Sequence, residues 1–208
     1  MKSDWASENL QVIRTLMERS VMYRRALAPM TLTAGVLGLV AAAIGWFAKL
    51  DQPEVFITHW VVAAGIINAV ALLLARKQAI NEQEAFWSPP TRRIALASAP
   101  GFLAGGFLTL AIGLRWATDA EVIPWLIVIW MLFYGCALCA AGFFMPRGIK
   151  LFGWLYLALA FLMLFVVWPQ WLKLSVQQNH LVMGVVFGGV HLAYGIYLHF
   201  TEKRGDAS

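Results

Sequence analysis

The sequence predicts an all-α, polytopic membrane protein. Six transmembrane helices form one bundle, preceded by an amphipathic interfacial helix, with both termini in the cytoplasm. Three observations carry this. Six long runs contain no charged residue, those runs are apolar on every face, and the Lys and Arg residues between them gather on alternate connections.

Hydrophobic residues make up 61% of the chain and charged residues 13%, against about 25% charged in an ordinary soluble domain. The runs free of Asp, Glu, Lys and Arg are 26–48, 55–75, 94–114, 122–146, 151–172 and 174–201. About 20 helical residues cross a hydrocarbon core of about 30 Å, so each run is long enough. A β-barrel strand would alternate polar and apolar side chains over about ten positions, and none of these runs does so. Helices remain, because backbone polar groups in lipid have to be satisfied within their own segment.

Orientation follows from the basic residues. Lys2, Arg14, Arg19, Arg24 and Arg25 precede span 1. Arg76, Lys77, Arg92 and Arg93 lie between spans 2 and 3, Arg147 and Lys150 between spans 4 and 5, and Lys203 and Arg204 after span 6. The opposite side has Lys49, Arg115 and Lys173. This bias, with attraction to anionic lipid, accounts for the formal charge of +5 without nucleic-acid binding. The "AAA" at 41–43 resembles a signal-peptidase site, but a signal peptide has a short basic leader and an apolar core of about 7–15 residues. Here Asp4, Glu8 and Glu18 precede a longer run, so span 1 is expected to be retained.

Residues 1–28 form the interfacial element. Leu10, Ile13, Met17 and Val21 recur at helical spacing, with Leu16 widening the stripe, and Ser3 is placed to cap the helix. The transmembrane domain follows at 29–200, with spans at about 29–48, 55–75, 94–114, 122–145, 151–168 and 180–200, and residues 201–208 form a cytoplasmic tail. The outer loops are short. The inner connection 76–93 continues span 2 as a helix until Pro89-Pro90 breaks it. Trp60, Trp116, Trp125, Trp168 and Trp171 gather near the outer boundary, and Tyr23 and Trp87 near the inner one, as an aromatic belt predicts.

The absence of intramembrane acids and bases argues against proton relays, voltage sensors and ion-coupled transporters, which usually keep one. Pro100-Gly101 interrupts span 3, as transporter helices often are, but the only counterpart in span 6 is Gly188-Gly189. Three polar side chains fall at similar depth: Asn68 in span 2, Tyr134 in span 4 and His191 in span 6. They are the candidate ligand-binding cluster. The bland alternative is that they satisfy one another across helices, for about 0.6–2 kcal/mol per contact.

Gly101 with Gly105, and Gly184 with Gly188, have the small-xxx-small spacing of close helix packing, either within the bundle or between copies. Cys136 and Cys139 form a CxxC in the inner half of an apolar helix, where packing among small residues is the expected role. His191 and His199 lie about 12 Å apart along one helix, too far to ligate one iron, so a bis-His haem would need His59 from span 2. Haem is the weakest option. No catalytic residue, metal site or cofactor is expected.

The entry "IRTLMERSVMYRRALAPMTLTAG" and the span-6 stretch "FGGVHLAYGIYL" resemble a group of small bacterial six-span integral membrane proteins with no established activity. The resemblance implies a location in the bacterial cytoplasmic membrane and makes the N-terminal helix part of the common design. It implies no site residue. The leading functional reading is a non-enzymatic membrane accessory or regulatory protein, acting through helix–helix contacts or a protein partner at the N-terminal helix. The alternative is a small-molecule or lipid-binding or transport bundle built on His191, Asn68 and Tyr134. A third is an intramembrane redox protein using haem, quinone or the CxxC. Membrane lipid, a protein partner and a second copy of the chain are the partners these readings imply.

Overall fold

The computed structural model describes residues 27–83, 85–165 and 173–205. The predicted amphipathic helix at 1–28 therefore lies almost wholly outside the described residues, as do Tyr23, Trp168 and Trp171 of the aromatic belt. The described residues contain six helices long and apolar enough to cross a membrane, and no strand. These are α1 (Leu27–Phe47), α2 (Pro53–Asn81), α3 (Pro89–Trp116), α4 (Val122–Ala141) and α5 (Arg147–Phe165). The sixth, α6, has an α-helical segment Val176–Met183, a π-helical turn Gly184–Gly189 and a second α-helical segment Val190–Gly205.

Local chemistry explains the helix ends. Pro53 opens α2, and Pro89-Pro90 open α3, where a missing N–H costs nothing and a fixed φ is preorganised. The proline pair thus begins a helix as well as barring the previous one. α2 has 29 residues, about 43 Å, so it overruns a hydrocarbon core and carries Arg76 and Lys77 toward water. α6 starts at Val176, four residues before the predicted span. A reciprocal capping box holds it there: Gln178 N–H donates to Ser175 Oγ at 3.2 Å, and Ser175 N–H donates to Gln178 Oε1 at 2.9 Å. α3 runs continuously through Pro100.

α1 ends in a Schellman turn. Leu50 N–H reaches Gly45 O at 3.0 Å and Lys49 N–H reaches Trp46 O at 3.3 Å. Lys49 takes the left-handed position usually given to glycine, with φ 52°. The turn leaves the Leu50 carbonyl facing α6.

α4 lies at the centre. Ile123, Leu126, Ile127 and Met131 are wholly buried there. Because lipid is as apolar as leucine, helices in it associate through close packing rather than the hydrophobic effect, and glycines set the approaches. A Cβ on Gly188 would stand 2.7 Å from the Leu39 nitrogen, and one on Gly184 would stand 2.6 Å from Ala42 Cβ. A Cβ on Gly195 would meet Leu32 N at 2.7 Å. These positions form the α1–α6 seam. On the α3–α4 seam, Gly101 faces Phe133 O and Ala137, and Gly105 faces Phe133 Cβ. Gly135 and Gly153 meet between α4 and α5, with Cys139 in the same contact.

α2 differs from the others. Its buried residues all lie between Pro53 and Ala63, so only its first turns are packed into the bundle. The many exposed Leu, Ile and Phe side chains of α2 and α3 are what a lipid-facing surface requires.

The seams and the open helix faces give opposite expectations for one substitution. Gly188→Ala should lower thermal stability in detergent by about 1–3 kcal/mol, the usual cost of overpacking. Gly65→Ala, whose Cβ would meet nothing within 4 Å, should be neutral or slightly stabilising. Thermal unfolding of the two purified variants checks both.

Candidate functional site

A cleft of about 740 Å³ lies among α1, α2, α3, α4 and α6, with Phe152 of α5 on its wall. It opens where α2 leaves the packed bundle after Ala63, with α3 and α4 forming the facing walls. Most of its lining is aliphatic or aromatic, and no charged residue contributes. Its size falls in the range of small-molecule sites, about 300–1,000 Å³. Asn68, Tyr134 and His191 all line it.

The three candidates are not one hydrogen-bonded cluster. Tyr134 Oη and His191 Nε2 are 2.6 Å apart. Asn68 is exposed, and its amide donates to Ala64 O on its own helix at 2.8 Å. It faces the same cleft without joining the other two. The side chain that completes the His191 site is Tyr156, which the sequence reading did not single out. Its hydroxyl lies 2.9 Å from His191 Nδ1 and donates to Val186 O at 3.0 Å. Tyr156 is wholly buried and His191 nearly so.

Elementary donor and acceptor chemistry sets the direction of this chain. Phe187 O lies 2.6 Å from His191 Nδ1, and a carbonyl only accepts, so Nδ1 carries the ring proton. No Asp or Glu occurs in any of the six charge-free runs to support a second proton, so Nε2 is bare and accepts from Tyr134 O–H. The Tyr156 proton goes to Val186 O, leaving its oxygen to accept from Nδ1–H. Both carbonyls belong to the π-turn, whose register is marked by Val190 N–H bonding Val185 O, five residues back. Such turns are rare and often sit at functional sites. Phe152 meets the imidazole edge-on at 5.2 Å between ring centroids.

A second polar cluster lies near the start of α6. His180 is wholly buried. Trp60 Nε1–H donates to its Nδ1 at 3.1 Å, so Nε2 carries the proton and donates to Leu50 O at 2.9 Å. The ring covers Gly45, where any Cβ would collide with it. His59 stands beside it, with ring centroids 5.4 Å apart and Nε2 2.9 Å from Ala41 O. Trp60 was expected in the aromatic belt. It is 4% exposed and faces into the bundle, where its indole N–H has a buried acceptor and its ring packs with Phe56. Trp116 and Trp125 are exposed.

Cys136 is exposed and Cys139 partly buried, both as free thiols. Among the described residues, no group of three His, Cys, Asp or Glu side chains could hold a metal ion.

Removing one hydroxyl should reveal how much the His191 chain matters to the fold. Tyr156→Phe leaves Val186 O and His191 Nδ1 without that partner inside the protein, and should cost about 1–3 kcal/mol in thermal or denaturant unfolding. Tyr197→Phe, at an exposed ring, is the matched control and should cost little.

Compared with known proteins, the chain matches no family, no curated protein and no solved structure.

Proposed function

We propose that this protein is a multi-pass protein of the bacterial cytoplasmic membrane, with both termini cytoplasmic, that binds a lipid-soluble molecule in the cleft beside His191. The observation that carries the reading is the cleft itself. It is ligand-sized and uncharged, and Tyr134, His191 and Asn68 all stand on its wall. Charge asymmetry between the connections supports the orientation. The role proposed is binding, and both ring nitrogens of His191 are engaged within the protein, by Tyr134 on one side and by Phe187 O and Tyr156 on the other.

This places the binding bundle ahead of the accessory-protein reading. The accessory reading depends on residues 1–28 and their amphipathic stripe, and is proposed here as a separate property of that segment.

Gly106 lines the cleft, and a Cβ there would meet nothing within 4 Å, so Gly106→Phe should fill the space without disturbing a seam. Mass spectrometry of small molecules co-purifying in mild detergent should show at least a tenfold drop for this variant, with unchanged thermal stability. Equal recovery would overturn the binding reading. Removing residues 1–26 should leave co-purification of the small molecule intact and abolish recovery of a protein partner. Unchanged partner recovery would count against the accessory role. Reporter fusions at residue 208 should report a cytoplasmic C-terminus, and an exported one would reverse the assignment.

A further inference from the structure

We infer that the occupant of this cleft is a neutral lipid bearing a free hydroxyl, which it donates to Tyr134 Oη. This rests on the binding reading above and adds the chemical class of the ligand.

The first half of the inference concerns charge. No Lys, Arg, Asp or Glu lines the cleft, and an unpaired charge buried in such a place is costly. The part of the ligand that enters is therefore uncharged.

The second half follows from where the protons on the wall are directed. Tyr134 has one hydroxyl proton, and the bare Nε2 of His191, 2.6 Å away, takes it. Thr31 donates to Leu27 O at 2.8 Å, Thr58 to Glu54 O at 2.8 Å and Thr109 to Gly105 O at 2.7 Å. The two indoles on the wall are also engaged: Trp130 donates to Thr109 Oγ1 at 2.7 Å and Trp60 to His180 at 3.1 Å. Each hydroxyl and indole proton on the wall thus points into the protein. Asn68, at an exposed position, is the wall side chain with an N–H to spare. Apart from Asn68, the polar side chains of the wall offer oxygen lone pairs and no unengaged donor.

A site with this pattern discriminates by hydrogen-bond role. A ligand hydroxyl finds an acceptor in Tyr134 Oη, which belongs to a side chain on the cleft wall and makes its one hydrogen bond among the described residues as a donor to His191. An ether, ester or quinone carbonyl beside Tyr134 meets hydroxyl and indole protons that are all engaged within the protein, and away from Asn68 its oxygen is left unpaired on leaving water or the lipid headgroup layer. Rejection of that kind is stronger than a methylene difference in an apolar pocket produces. His191 acts as a positioning residue: it orients the Tyr134 proton away from the ligand and so determines which class is accepted.

The test uses the full chain in detergent, titrated with oleyl alcohol and with oleyl methyl ether, with occupancy read by native mass spectrometry. The alcohol should bind at least tenfold more tightly. Equal binding of the two would overturn the hydroxyl inference while leaving the cleft as a binding site. Binding of neither would overturn both. Tyr134→Phe should bring the alcohol down to the level of the ether, and a retained preference would overturn the inference. His191→Leu frees the Tyr134 proton to turn into the cleft, so the ether should gain at least fivefold relative to the alcohol. If His191→Leu does not yield folded protein, the Tyr134→Phe comparison decides the matter alone.

Discussion

A polar group inside a hydrocarbon layer has no water to fall back on, and His191 is where this constraint presses hardest. An imidazole has one donor and one acceptor when neutral, and both must be matched from within the bundle. The acceptor is met by Tyr134 on α4. The donor is met by the π-turn carbonyl of Phe187, with Tyr156 of α5 beside it. Three helices are therefore tied to one ring, and the chain of protons through them has a fixed direction. The His180 clamp obeys the same rule with different partners, an indole from α2 and the carbonyl released by the turn after α1.

The second requirement is proximity. Hydrogen bonds across helices need backbones that approach closely, and the glycine positions supply this. Gly184 and Gly188 set α6 directly against Ala42 and Leu39 of α1. This holds the π-turn in place and presents Val186 and Phe187 carbonyls toward α5 and His191. The packing seams and the polar site are thus one construction. Loss of a seam moves the carbonyls on which the histidine depends.

α2 escapes this construction for most of its length. It is anchored by Phe56, Ile57, Trp60 and Ala63 and then departs, so the cleft is a consequence of topology rather than of missing side chains. The site beside His191 is consequently rigid on its α4, α5 and α6 walls. The α2 wall is packed into the bundle mainly at one end, between Pro53 and Ala63.

The sequence by itself determined the all-helical architecture and the six spans, because hydrocarbon demands long uncharged helices and the gaps between charges are visible without a structure. It also marked His191 and Tyr134, since polar residues are conspicuous in such runs. It did not reveal Tyr156, which sits in a span rich in aromatics and has no spacing signal toward His191. It put Asn68 beside the same cleft but did not show that its amide bonds Ala64 O on its own helix, because depth along an axis does not say which way a side chain turns. The capping box at Ser175 was legible as S-x-x-Q but lies beside Lys173, where a reading based on hydropathy alone starts too late. The π-turn was hidden most completely. One extra residue in a turn rotates everything after it by about 100°, and only contacts with α1 and α5 select that turn over an ordinary helical one. Tertiary packing therefore decided which face of α6 carries His191 inward, which way its protons run, and that a cleft opens beside it.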